Sequence, residues 1–169
     1  MSDMLLQAQA LTREAFAPYG DVIEVCANNQ VIPINYGLTD RHHDLAQVDV
    51  TAAGGRPIIS IFRSRGISVP FQVEIMERHP LGSQAFMGLG GHPYLVIVGL
   101  AGEFDAHKLQ AFVASGHQGV NYHRGTWHHY CLSLEADNDF LVVDRGGEGH
   151  NCDEVRLPPG LNVSVTIQE

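Results

Sequence analysis

Short runs of β-branched and aromatic residues recur along almost the whole chain, separated by turn residues, and this rhythm predicts strands. The runs lie at 22–25, 58–62, 71–75, 94–100, 109–113, 131–134, 140–143 and 161–167. Glycine and proline punctuate them in Gly54-Gly55-Arg56-Pro57, Gly90-Gly91-His92-Pro93, Gly146-Gly147 and Pro158-Pro159-Gly160. A single short helix is predicted over 12–17, with Thr12 as its N-cap and Pro18-Tyr19-Gly20 as its stop. Many short strands without intervening long helices predict a mainly all-β sandwich or barrel.

Composition narrows the picture. A chain of 169 residues is long enough for one domain with a proper core, so 1–169 is read as a single domain. The net charge is -9 and the 10 Lys and Arg form no cluster, which excludes a nucleic-acid surface. An anionic ligand must then be met locally by individual arginines such as Arg41, Arg63, Arg78, Arg124 or Arg145. The first ten residues lack the pattern of a signal peptide and no apolar run reaches the roughly 20 residues that span a bilayer, so a cytoplasmic protein with no membrane partner is expected. Cys26, Cys131 and Cys152 are an odd number at wide spacings, which suits free thiols.

The candidate chemistry sits in two segments. Glu77-Arg78-His79-Pro80-Leu81-Gly82-Ser83-Gln84-Ala85-Phe86 and Gly119-Val120-Asn121-Tyr122-His123-Arg124-Gly125-Thr126-Trp127-His128-His129 each set imidazoles beside a turn and an apolar run. Two distant segments of that kind can aim nitrogen ligands into one β-lined pocket. Alternation along a strand turns one of His128 and His129 inward and the other outward. Upstream, His43 beside Asp44 has the residue types of an oriented base, and the same pair could equally form a polar turn. Arg63, after the strand 58–62, could clamp a carboxylate or stand as a solvated rim charge. Asp144-Arg145-Gly146-Gly147 reads as an internal ion pair framing a glycine turn, and Trp127 as core. No GxSxG elbow, P-loop or GxGxxG is present.

These segments resemble the paired motifs of the cupin superfamily. Together with Asn35-Tyr36-Gly37-Leu38, Arg41-x-His43-Asp44-Leu45-Ala46, Ile59-Ser60-Ile61-x-Arg63 and Asn151-Cys152-Asp153, they resemble the ureidoglycolate lyase family. The resemblance implies a single-domain cupin-like jelly-roll β-barrel with few short helices, a homodimer, and cleavage of (S)-ureidoglycolate to glyoxylate and urea during allantoin breakdown. It also implies a divalent metal, nickel by preference, held by His79, Gln84 and His123. Gln84 stands where a cupin carboxylate is usual, and an amide oxygen is the weaker donor. Acid–base work falls to His43, Asp44, His123 and His128, and substrate binding to Asn35, Arg41, Arg63 and Arg78. The rival expectations are a non-catalytic cupin that binds a small acid, and an amidohydrolase that releases ammonia from ureidoglycolate.

Overall fold

A computed structural model describes residues 1–168. The predicted helix forms over Arg13–Phe16, where the Thr12 side chain accepts a hydrogen bond from the Ala15 amide at 3.2 Å. Phe16, at its end, is fully buried and pins this turn to the core. Apart from three short 3-10 turns, the other regular elements among the described residues are strands.

Five antiparallel strands make one sheet, in the order Gly20–Ile23, Gly119–Tyr122, Gln84–Gly88, Asn138–Gly146 and Arg56–Ser64. A larger sheet runs Asp153–Arg156, Ile75–Arg78, Trp127–His128, Tyr94–Gly99, Gln110–Ala114, Ser2–Ala10, Leu161–Ile167, Phe71–Val73, with Leu132–Leu134 and Gly66–Ile67 added off that path. Phe71–Val73 and Ile75–Arg78 follow each other in the chain, with Glu74 alone between them, yet they stand near opposite margins of this sheet. The sheet therefore curls until its margins are joined by the chain itself. Curling of this kind removes the open edge that a flat sheet would expose.

Two apolar cores follow from the curl, and the strand Tyr94–Gly99 serves both. Tyr94, Val96 and Val98 face the five-stranded sheet, where they pack with Phe86, Val120, Phe140 and Val142. Leu95 and Ile97 face the inside of the curl and pack with Val73, Met76, Trp127, Val163 and Val165. Being covered on both sides explains why this strand is hydrophobic at every position, with no polar alternation. Truncating Phe140, which has no exposed surface, would cost about 3–5 kcal/mol.

Several strands lie outside the expected runs, among them Gln84–Gly88, Gly119–Tyr122 and Asp153–Arg156, and two further features depart more strongly. Ser2–Ala10 is a strand in parallel register with Leu161–Ile167, burying Met4, Leu6 and Ala8 by turns while Leu5 stays exposed. The segment around Asn35 and Arg41 forms a separate hairpin, Gln30–Ile34 with Thr39–His43. Its tip holds Asn35, Tyr36 and Gly37 at φ of 54°, 58° and 82°, the left-handed region that non-glycine residues seldom adopt. Tyr36 and Leu38 project from that tip into solvent.

Candidate active site

Strand alternation carries the polar residues of interest into one layer. On the five-stranded sheet, the inward row that includes Phe140 and Val142 continues to Asp144, the row of Phe86 to Gln84, and the row of Val120 to Tyr122. Register sets Gln84 directly across from Tyr122. On the facing sheet, Val98 pairs with His128 and His128 pairs with Glu77, so these side chains share a face too. The apolar column between the sheets thus ends in a polar cap of Glu77, Gln84, Tyr122, His128 and Asp144, with His79 joining it.

Within the cap, hydrogen bonds dictate which atoms carry hydrogen. His79 Nδ1 lies 2.7 Å from the Asn151 carbonyl, an acceptor only, so Nδ1 donates. Gln84 Nε2 donates to Asp144 Oδ2 at 3.0 Å, which turns Gln84 Oε1 toward His79 Nε2 at 3.1 Å. His128 Nδ1 donates to the His129 carbonyl at 3.1 Å, leaving Nε2 as a buried acceptor with no partner. Asp144 Oδ1 is buried and unpartnered as well.

His128 is 1% exposed and lies flat on the Tyr122 ring, 4.2 Å between centroids and 3° between planes. Burial brings its pKa down to about 3, so it is a neutral imidazole at physiological pH. Its 3.9 Å approach to Glu77 is therefore not an ion pair, because its one proton already points at the His129 carbonyl. Burial also raises the pKa of Glu77, and it keeps the Tyr122 phenol protonated. Glu77, His79 and His128 bring ligand atoms within 4.8 Å of one another. Carboxylate oxygen, two imidazoles and a nearby amide oxygen make a donor set suited to a divalent ion of the nickel, zinc or iron type.

A model of the family described as ureidoglycolate lyase matches residues 3–164. The chain belongs to that family. Among its relatives are a ureidoglycolate lyase of Burkholderia mallei (strain NCTC 10229), 54% identical over 156 residues and covering 92% of this chain and 91% of the relative. Another, of Pseudomonas aeruginosa (strain LESB58), is 51% identical over 150 residues, 88% of each chain. A crystal structure of dTDP-6-deoxy-D-glucose-3,5-epimerase from Legionella pneumophila Philadelphia 1, in complex with dTDP-4-keto-L-rhamnose, overlaps more loosely. Its TM-score is 0.44 at 14% identity, covering 78% of this chain and 69% of the other.

The residues that the ureidoglycolate lyase resemblance singled out divide between two places. His79, Gln84 and His128 meet in the buried cap, joined by Glu77 and Asp144. His123 turns away from it: its Nε2 lies 3.2 Å from Asp21 Oδ1, and it belongs to neither cluster of close metal-type ligands among the described residues. With His43, Asp44, Asp21 and Arg13 it lines an open cleft of about 450 Å³. Asp21 is steadied there by Asn121, fully buried, whose Nδ2 donates to Asp21 Oδ2 at 3.0 Å and to the Gln47 carbonyl at 2.9 Å. His43 Nδ1 is buried without a partner, and Asp44, at φ 53°, makes no hydrogen bond to it among the described contacts.

The expected substrate clamps are elsewhere. Arg63 is held bidentately by Asp139 and is 68% exposed, and Arg78 bonds Asp153 and the Gly102 carbonyl while its guanidinium lies 4.5 Å over the Trp127 ring. Asn35 and Arg41 stand on the exposed hairpin. One reading from sequence is corrected outright. Asp144 and Arg145 are not paired, because alternation sends Asp144 inward to Gln84 and Arg145 outward to the carbonyls of Ala52, Ala53 and Glu148. Asp144, Asn151, Tyr122 and Asp21 carry weight that sequence reading missed, and the period-two continuation of the rows through Val142 and Val120 was the signal available for two of them.

Proposed function

We propose that this chain is a carbon–nitrogen lyase that breaks ureidoglycolate into glyoxylate and urea, and that the buried cap is where it does so. One observation carries the reading. The acceptors on their far sides turn His79 Nε2, Gln84 Oε1 and His128 Nε2 into the cap, where the first two meet at 3.1 Å. Gln84 Oε1 can only accept, so a positive centre lies between the two, a proton on His79 Nε2 or a metal ion in its place. Charge argues the same way: a cap holding Glu77 and Asp144 would reject a carboxylate substrate, and a divalent ion reverses that sign.

His79 and His128, with Glu77 and Gln84, would hold this ion, which we take to be nickel. When bound, it supplies electrostatic stabilisation of oxygen anions and lowers the pKa of a coordinated hydroxyl. The chain's own groups handle the protons. Ureidoglycolate carries hydroxyl and ureido nitrogen on one carbon, so loss of the hydroxyl proton forms the aldehyde C=O as the C–N bond breaks. The bonding pair leaves with nitrogen, which takes up a proton to become urea. Asp144 Oδ1 is an open acceptor for the hydroxyl proton and, once it holds it, can pass it on to the departing nitrogen. Water is consumed nowhere.

A second copy of the chain is part of the reading: the edge strand Arg56–Ser64 is the last of its sheet and exposes Ile59 and Ile61 at 72% and 55%. No described helix is long and apolar enough to cross a membrane, and we place the protein in the cytoplasm. One further observation supports a second reading of the chemistry. The Asp21–His123 pair in its roomy cleft has the form of an oriented base, and could act on substrate without the cap.

The test is to supply racemic ureidoglycolate to the purified protein. Consumption of one enantiomer with equal yields of urea and glyoxylate is expected. Ammonia as the first nitrogen product would make the chain an amidohydrolase, and saturable binding without turnover would make it a binding protein.

A further inference from the structure

The hydrogen-bond chain through the cap runs from the Asn151 carbonyl through His79 and Gln84 to Asp144, and each end is a pure acceptor. A glutamine amide is nearly symmetric in shape, so nothing in its packing decides which end faces His79. Its partner does. The Asp144 oxygen it meets at 3.0 Å accepts from the NH₂ end, and that leaves Oε1 toward His79 Nε2. Were Gln84 reversed, its NH₂ would donate to His79 Nε2, occupying the lone pair, and its oxygen would meet the Asp144 carboxylate.

We infer that Asp144 is a positioning residue: by fixing the orientation of the Gln84 amide, it keeps Gln84 Oε1, and not its NH₂ group, toward His79 Nε2 and so readies the cap for a divalent cation. The inference rests on the metal reading above, and it adds a specific cause to it. The register accounts for the placement. Asp144 and Gln84 lie on adjacent strands, Asn138–Gly146 and Gln84–Gly88, whose pairing aligns Val142 with Phe86 and Val143 with Ala85. A backbone carbonyl plays the matching part at the other end by fixing the His79 tautomer, as outer partners of ligating histidines do.

The experiment is a calorimetric titration of nickel ion into metal-stripped protein, without substrate. In Asp144→Asn the new amide can donate as well as accept, so Gln84 is free to reverse; nickel affinity should fall by about 10- to 100-fold, the usual effect of losing an outer partner. Gln84→Glu alone sets two carboxylates against each other at the former 3.0 Å contact and should not rescue binding. The double variant Asp144→Asn/Gln84→Glu should recover most of the affinity, since a carboxylate shows oxygen on both sides and needs no orienting. Wild-type affinity in Asp144→Asn, or a double variant as weak as the single one, would overturn the inference. Circular dichroism checks that these near-isosteric variants fold. The side-chain NH₂ resonances of Gln84 in metal-free protein give a readout independent of nickel: Asp144→Asn must shift them. If wild type takes up no nickel, the metal reading fails, and unmoved Gln84 resonances would separately overturn the orientation claim.

Discussion

The cap and the cleft hold similar residue types in opposite surroundings. In the cap, His128 and Gln84 are buried and Glu77 and His79 half-buried, and His79 Nδ1, His128 Nδ1 and Gln84 Nε2 are each tied to an acceptor, which turns the opposite atoms inward. In the cleft, His123 is half exposed and already satisfied by Asp21, with about 450 Å³ of open space beside it. Burial makes the difference. Water reaches the groups of the cleft, whereas burial in the cap holds His128 neutral, with its Nε2 turned inward. A dry, preorganised donor set is where electrostatic catalysis has most leverage, while an open histidine pair is the simpler acid–base device.

The comparison breaks most visibly through the metal. Exhaustive chelation should remove nearly all turnover of ureidoglycolate, and nickel should restore it, because affinity of such a donor set depends on a bound ion rather than on the fold. Full activity in protein free of metal by elemental analysis would shift the chemistry to the cleft.

A second effect is on stability and needs no substrate. His128 has a folded pKa of about 3, depressed by burial from the ordinary 6.5, so the unfolded chain binds its proton first as pH falls. The stabilisation is present above pH 6.5 and is lost on acidification toward pH 3, at up to about 1.4 kcal/mol per pH unit from this residue. Glu77, raised by the same burial, leans the other way. Urea denaturation between pH 7 and pH 4 should therefore show a shallower acid slope in His128→Gln than in wild type. Equal slopes would mean that the imidazole is not held neutral by burial.

The smallest effect belongs to the surface. Arg63→Ala removes an ion pair that is largely exposed, so the unfolding midpoint should scarcely move and turnover should stay near wild type. A large rise in KM would instead restore Arg63 to the role of substrate clamp.

How much of this could be read from sequence depended on what each feature required. The strands 94–100 and 161–167 matched Tyr94–Gly99 and Leu161–Ile167 closely, because dense β-branched runs buried on a sheet leave little else to form. Ser2–Ala10 escaped because its inward row ends in alanine and Leu5 breaks the alternation. His79 and Gln84 were legible as a pair because five residues of one turn join them. The choice between His123 and His128 was not, since the chain reverses between them through Gly125 at φ 80°, and only the pairing of His128 with Val98 decides which side it faces. Asp144 was misread for a related reason: its neighbour in sequence is Arg145, but on a strand neighbours point apart.

The central claim, that the cap and not the cleft carries the reaction, is tested most directly by the turnover of two single variants measured side by side. His128→Ala should lower urea release by at least about a hundredfold, in the range expected for losing a group at the reacting centre, while His123→Ala should cost no more than about tenfold. The reverse order, with His123→Ala the crippled enzyme and His128→Ala folded and active, would contradict the account.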